Sequence, residues 1–356
     1  MGNVFGKNIS LSIFGESHGA LIGATLGGIA PGIKLDKEYI TKKLSLRRPF
    51  GKISTSRCEE DDFKIVSGEF QGYTTGAPIT VIIENKNVKS RDYSEFLDTP
   101  RPSHADYTAN VKYLGFQDFR GGGHFSGRIT AALVAVGAIL QSALEEKGIY
   151  IGTHISSLKG ICDRKFSDYS EDIKMLSSKI FPALSEESEE KMIKLIEKTA
   201  ENGDSVGGVL ESAIIGVPAG IGEPFFDSIE SEISHILFSI PAVKGVSFGA
   251  GFGFSDLFGS EANDAYLTDG KSVFTKTNNN GGILGGISNG MPIIVNTVIK
   301  PTPSIYREQD TVSLSKLENV KLQISGRHDP AIIHRARAVV DAALAVAIYD
   351  LLGAKK

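Results

Sequence analysis

The sequence predicts an α+β protein built from two similar halves, with buried helices between antiparallel sheets, and three observations lead there. A glycine-rich turn followed by an apolar strand occurs twice. Gly15-Glu16-Ser17-His18-Gly19 precedes the run from Ala24 to Ile33, with its Pro31-Gly32 turn, and Gly203-Asp204-Ser205-Val206-Gly207 precedes the run from Ser212 to Ile221, with Pro218-Ala219-Gly220. Self-similarity at this scale marks one structural unit used twice. Next, Ser126-Gly127-Arg128 opens an alanine-rich apolar run ending at Leu144, and Ser325-Gly326-Arg327 precedes another from Ala331 to Leu352. Helices apolar almost all round are covered on more than one side. Finally, Pro78-Ile79-Thr80-Val81-Ile82-Ile83 and Pro292-Ile293-Ile294-Val295-Asn296-Thr297-Val298-Ile299 read as equivalent strands.

Taken in order, Asn8 to Phe14 reads as a strand, and Ala20 to Ile29, with three glycines before Pro31-Gly32, as a second one. Ile129 to Leu144 reads as a buried helix, too short to span a bilayer. A more polar insert covers about 160–200. In it Ser185 starts a charged helix with Met192, Ile193, Ile196 and Ala200 on one stripe, ending at Asn202-Gly203. The expectation is one domain over 1–356, with halves of about 8–150 and 200–352.

The formal charge of −4 gives no general attraction for nucleic acid or an anionic membrane, so any anionic ligand needs locally placed Arg and Lys. Cys58 and Cys162 supply no disulfide framework and no metal-ligand spacing, which fits a reduced, cytoplasmic protein. The first residues lack the pattern of a signal peptide. Many of the forty glycines cluster at 121–123, 249–253 and 281–286, as if loops from several regions formed one site.

Of seven histidines, four stand in glycine- or arginine-bearing turns: His18, His104, His124 and His328. That suits proton transfer or anion binding. His154, His235 and His334 read as structural or surface residues. A metal site has no support, because no H-x-x-x-H, H-E-x-x-H or cysteine pair occurs. Gly15 to Gly19 has the form of a nucleophile elbow, but an elbow needs a helix directly after its serine, and a strand follows here. Serine hydrolysis is therefore the weaker reading. Gly249-Ala250-Gly251-Phe252-Gly253 lacks the third spacing of a dinucleotide fingerprint. What remains is a basic site, with Arg47, Arg48, Lys52, Arg101, Arg128 and Arg327 beside Gly, Pro or Ser, where an arginine fork matches carboxylate and phosphate oxygens. Arg57 reads as surface.

Four motifs together closely resemble the chorismate synthase family: Gly15-Glu16-Ser17-His18-Gly19, Arg101-Pro102-Ser103-His104-Ala105-Asp106, Gly121-Gly122-Gly123 through Ser126-Gly127-Arg128, and Arg327-His328-Asp329-Pro330. Ala242-Val243-Lys244-Gly245, Gly281 to Ser288 and Lys300 to Ser304 add to it, in family order along the chain. The resemblance implies a β-α-β sandwich with internal pseudo-symmetry, a homotetramer, and anti-1,4-elimination of phosphate from 5-enolpyruvylshikimate 3-phosphate to give chorismate. It also implies reduced FMN, with NADPH as a reductant of the flavin. By resemblance His104 protonates the departing phosphate, and His18 protonates or balances the reduced flavin. Asp329 takes part in removing the C6 proton, while Ser17 and Ser126 assist by hydrogen bonding. Flavin contacts carried over are His124, Phe125, Ser126, Pro241, Ala242, Gly285, Lys300, Pro301, Thr302, Pro303, Ser304 and Arg327. Arg47 and Lys52 match NADP positions. Arg48, Arg101 and Arg128 are the expected contacts to the anionic substrate.

Overall fold

The computed structural model describes residues 3–54, 60–86, 96–324 and 328–353. Expectations for Arg57, Cys58, Ser325, Gly326 and Arg327 lie outside the described residues.

Two antiparallel sheets carry the fold. The first contains β1 (Ser10–Gly15), β2 (Leu21–Gly27), β3 (Phe63–Ser67) and β6 (Ile79–Glu84), after a small hairpin of β4 (Glu69–Phe70) and β5 (Tyr73–Thr74); its order is β1-β2-β6-β3. The second contains β7 (Tyr150–Leu158), β8 (Ile161–Cys162), β9 (Gly208–Ile215), β10 (Val243–Phe248) and, after two minor hairpins, β15 (Ile293–Ile299); its order is β10-β15-β9-β7-β8. The minor hairpins are β11 (Tyr266–Thr268) with β12 (Val273–Thr275), β13 (Ile283–Leu284) with β14 (Ile287–Ser288), and β16 (Gln309–Ser313) with β17 (Glu318–Leu322). The helices are α1 (Lys37–Ser45), α2 (Asp106–Lys112), α3 (Thr130–Glu145), α4 (Tyr169–Leu176), α5 (Glu186–Glu201), α6 (Ile229–Ser239), α7 (Gly259–Ala262) and α8 (Ile333–Leu352).

Helices α3 and α8 pack on each other; α3 also lies on β2 and β6, and α8 on β7 and β9. Their alanines make this close crossing possible. A methyl group on Gly137 would stand 2.8 Å from Ala342 Cα, so glycine is what the contact admits. The stretch Gly127–Glu145 is, by length and composition, long enough to cross a membrane, which corrects the expectation that it is too short. Burial of 83% of that window inside the protein makes it a core helix.

The charged helix of the polar insert forms as read. Ser185 accepts from Ser188 N at 3.3 Å and caps α5, whose Met192 and Ile196 are buried. Strand β7, unassigned by the sequence, precedes the insert and pairs with β9 beyond it.

Candidate active site

The turn Gly15 to Gly19 joins β1 to β2 and is held by several backbone contacts. Ser17 N donates to Gly123 O at 3.1 Å, while Asn85 Nδ2 donates to Glu16 O at 3.0 Å and to Gly19 O at 2.9 Å. Ser17 is 1% exposed and His18 5%. The Ser17 hydroxyl lies 3.1 Å from Arg120 O and 3.2 Å from Gly121 O. Ser17 Oγ also lies 3.0 Å from His18 Nδ1, where the tautomer of the ring sets which of the two donates. The strand β2 after the turn removes the nucleophile elbow.

His104 lies in the loop before α2, with Nδ1 2.6 Å from Asp106 Oδ1. Asp106 also receives Arg101: Nε to Oδ2 at 2.8 Å, an outer guanidinium N–H to Oδ1 at 2.8 Å, and the backbone N–H to Oδ2 at 3.0 Å. Burial works to raise the Asp106 pKa, but hydrogen bonds from Arg101 and His104 outweigh it and hold the carboxyl below the usual range. Arg101 is itself buried, with its guanidinium 4.6 Å from the Phe96 ring centre.

The two histidines, distant in sequence, meet at the glycine run. Gly121, Gly122 and Gly123 have φ of 60°, 88° and 52°, in the left-handed region. A methyl on Gly121 would overlap the His18 ring and stand 2.8 Å from Ser17 Oγ. One on Gly122 would stand 3.2 Å from both Cε1 and Nε2 of His104, and 3.8 Å from Ser126 Cβ. Adjacent glycines thus let both imidazoles approach one piece of backbone. Asp118, Phe119, Gly122 and Phe125 line a small cleft with His104.

Farther along this loop, His124 Nδ1 donates to Gly15 O at 2.9 Å, and the Phe125 ring lies 6.2 Å from that of Tyr113. Ser126 Oγ accepts from Arg128 N at 3.3 Å. The basic residues near the start of α3 are drawn onto Asp61. Arg47 reaches Asp61 Oδ2 at 2.9 Å, Gly127 O at 3.1 Å and Thr130 Oγ1 at 3.2 Å; Arg128 pairs with the other Asp61 oxygen and donates to Asn85 Oδ1 at 3.0 Å. Burial, offset in part by Asp61, pushes the Arg47 pKa down to about 10. Through Asn85 this cluster is continuous with the Ser17-His18 turn. Arg48 bonds Glu60 O, and Lys52 is exposed in a short helical turn.

From the other half, Lys300 Nζ donates to Ser103 O at 2.5 Å, beside His104, and Lys300 N to Ala242 O at 2.9 Å. Burial, then the nearby Lys244 charge, pushes the Lys300 pKa down. Ala242 has φ +77° in the turn after Pro241. Between Pro301 and Pro303, Thr302 O accepts from Ser205 Oγ at 2.7 Å, while Thr302 Oγ1 is buried without a hydrogen-bond partner among the described residues. Ser304 is buried. Gly285 turns β13 into β14, where Gly286 O accepts from Ile229 N at 3.1 Å. Asp329 pairs with Arg335 on α8.

A family model described as chorismate synthase matches residues 9–352. The chain belongs to the chorismate synthase family. Curated relatives named chorismate synthase include those of Pyrococcus abyssi, 46% identical over 98% of this chain and 96% of that protein, and of Thermococcus kodakarensis, 44% identical over the same shares. A crystal structure of chorismate synthase is 28% identical and superposes with a TM-score of 0.75, covering 98% of this chain and 92% of that one. Enzymes of the family, this chain among them, are phosphate-eliminating lyases that turn 5-enolpyruvylshikimate 3-phosphate into chorismate, the last step of the shikimate pathway. The family is flavin-dependent.

Sequence reasoning did not single out Asp106, Asp61 or Asn85. Asp106 stands in a motif that was recognised, two residues from His104. Asp61 sits in the run Glu59-Glu60-Asp61-Asp62, where nothing in the order of residues marks which acid is buried between two arginines.

Proposed function

We propose that the family's elimination takes place at the cleft where His18 and His104 face Gly121 and Gly122. The observation that carries this reading is the convergence of two imidazoles from separate loops on adjacent glycines at positive φ, where a methyl would overlap the His18 ring and crowd that of His104. His104, with Nδ1 committed to Asp106, delivers its Nε2 proton to the departing phosphate oxygen. His18 balances negative charge at the reduced flavin, positioned by Ser17. Asp329 takes part in removing the C6 proton, and Ser126 assists by hydrogen bonding. Arg48 is the anion contact in this reading, whereas Arg128, expected as another, already holds the Asp61 carboxylate and Asn85. Arg101 acts on the reaction by holding Asp106 and His104, because its fork is already occupied by a carboxylate.

The residues present fit FMN. A partly buried lysine, the orphaned Thr302 hydroxyl and open Gly285 suit an anionic, hydrogen-bonding group. Lys300 through Ser304, Pro241, Ala242, Gly285, Arg327 and His124 to Ser126 would hold it. Reduced FMN, when bound, supplies electron density to the allylic system so that phosphate leaves more easily. NADPH as its reductant has exposed Lys52 as the accessible contact; Arg47 is engaged by Asp61, Gly127 and Thr130.

The reading includes a cytoplasmic homotetramer and one domain with an internal pseudo-twofold repeat. Strand registers support the repeat. Leu26 pairs with Ile79 and Ala24 with Val81, as Ile214 pairs with Ile293 and Ser212 with Val295. Each sheet adds a strand on either side of that pair, and α3 and α8 follow in turn. On this pattern the second half begins at β7, and the polar insert lies inside it, between β7 and β9.

The test is anaerobic turnover with dithionite-reduced FMN and 5-enolpyruvylshikimate 3-phosphate. Equal release of chorismate and phosphate is expected. Phosphate without chorismate would mean hydrolysis, and release of neither would mean a binding protein that has lost the reaction.

A further inference from the structure

We infer that Asn85 is the positioning residue of the Ser17-His18 turn, its side-chain amide tying the carbonyls on either side of that pair and anchoring them to Arg128. Asn85 acts here through His18, so the role rests on reading His18 as a residue of the elimination. Asn85 Nδ2 donates to Glu16 O at 3.0 Å and to Gly19 O at 2.9 Å, the two residues that bracket Ser17 and His18. Arg128 Nε donates to Asn85 Oδ1 at 3.0 Å. Carbonyls only accept and a guanidinium only donates, so the amide stands one way round, nitrogen on the turn and oxygen on Arg128. Its backbone is fixed as well, because Asn85 N donates to Ala20 O at 3.1 Å just past the end of β6.

The second half of the chain supplies the control. Leu26 pairs with Ile79 where Ile214 pairs with Ile293, and counting along both ladders from those pairs sets Asn85 on Ile299 and His18 on Val206. The buried row Ile79, Val81, Ile83 therefore runs on to Asn85, as Ile293, Val295, Thr297 runs on to Ile299. Ile299 is 1% exposed, and its side chain holds no polar atom. The turn that carries an imidazole has an amide beside it, and the turn that carries valine has isoleucine. An aliphatic side chain meets the packing at this position, so the asparagine serves through its hydrogen bonds. Releasing either carbonyl would let the turn shift, and with it the His18 ring that lies against Gly121. Misplacement of a reacting group by an ångström is enough to slow a reaction heavily.

Asn85→Ala is expected to lower kcat by roughly 10- to 100-fold, with KM changed less than about threefold. Asn85→Asp should do no better, because an oxygen replaces the nitrogen that faces two carbonyls, whereas Asn85→Gln keeps the amide and should recover part of kcat. In a His18→Ala background, Asn85→Ala should cost kcat nothing further, because its effect passes through the imidazole. If His18→Ala keeps normal turnover, the underlying reading of His18 fails. If His18→Ala is impaired while Asn85→Ala keeps its kcat, that reading stands and the positioning role is overturned. An equal further loss of kcat in the double variant would also overturn it, since Asn85 would then act apart from His18. Should Asn85→Ala not fold, side-chain amide exchange in the unmodified protein decides. Both Asn85 Nδ2 hydrogens are expected to exchange slowly, and exchange as fast as that of a solvent-exposed asparagine would overturn the proposal.

Discussion

The two Gly-x-Ser-x-Gly turns of this chain solve the same packing problem with different residues. In Gly15 to Gly19, Ser17 Oγ bonds backbone carbonyls and His18 Nδ1, and His18 is 5% exposed. In Gly203 to Gly207, Ser205 Oγ donates to Thr302 O at 2.7 Å, and Val206 is 4% exposed. Both turns need a serine to satisfy backbone carbonyls and a side chain to fill an enclosed space. The valine fills it with no polar group to satisfy, whereas the histidine needs the Ser17 hydroxyl beside it. A buried imidazole where valine suffices elsewhere is what the proposed proton-handling role of His18 requires, and Gly121 is the backbone it meets.

The largest expected effect breaks that comparison outright. His18→Val makes the first turn like the second and should cost about 10²–10⁴ in turnover, the range of general acid–base catalysis, with the fold kept. Steady-state kinetics beside a denaturant titration would check it; near-normal turnover would end the catalytic reading of His18. Gly121→Ala should follow, because the added methyl overlaps the His18 ring at positive φ. Turnover should fall more than tenfold through a displaced imidazole. In the second turn, Val206→Ala should cost about 2 kcal/mol of stability, as expected for a truncated core aliphatic, and leave turnover per folded molecule unchanged. A loss of kcat there would mean the two turns share a task.

Core histidines sharpen the contrast further. Burial, helped by Arg335, pushes His334 down to about 3, with Nε2 2.8 Å from Ser54 Oγ. Between pH 6.5 and about 3, the unfolded chain binds a proton that the folded chain refuses. Stability should therefore fall as pH drops through that window, by up to about 1.4 kcal/mol per pH unit from this group. Chemical denaturation at pH 7 and pH 5 would show a smaller difference for His334→Gln. Smallest of all, Ser205→Ala should cost about 1 kcal/mol, the net value of one hydrogen bond.

Several parts of this molecule were legible in the chain itself. Apolar runs such as Ile79–Glu84 and Thr130–Glu145 declare strand and helix because burial on a period is written in residue order. Ser185 and Asn202 declared the limits of α5 because capping is local chemistry. His18, His104 and the glycine run stood out because such residues have few other reasons to cluster in turns. Strand β7 did not stand out. Its residues Tyr150 to Leu158 mix apolar with small polar side chains, and its partner β9 lies beyond the whole insert.

By itself, then, the sequence determined the local elements, the family and the residue types available to the site. The tertiary structure alone decided which of them meet. It set His104 on Asp106, spent Arg101 as a clamp, and buried Asp61 between Arg47 and Arg128. It also brought His18 and His104 to neighbouring glycines. The reason is physical: propensity and periodicity act over a few residues, whereas a charge finds its partner, and an imidazole its carboxylate, through loops whose approach is fixed by packing elsewhere.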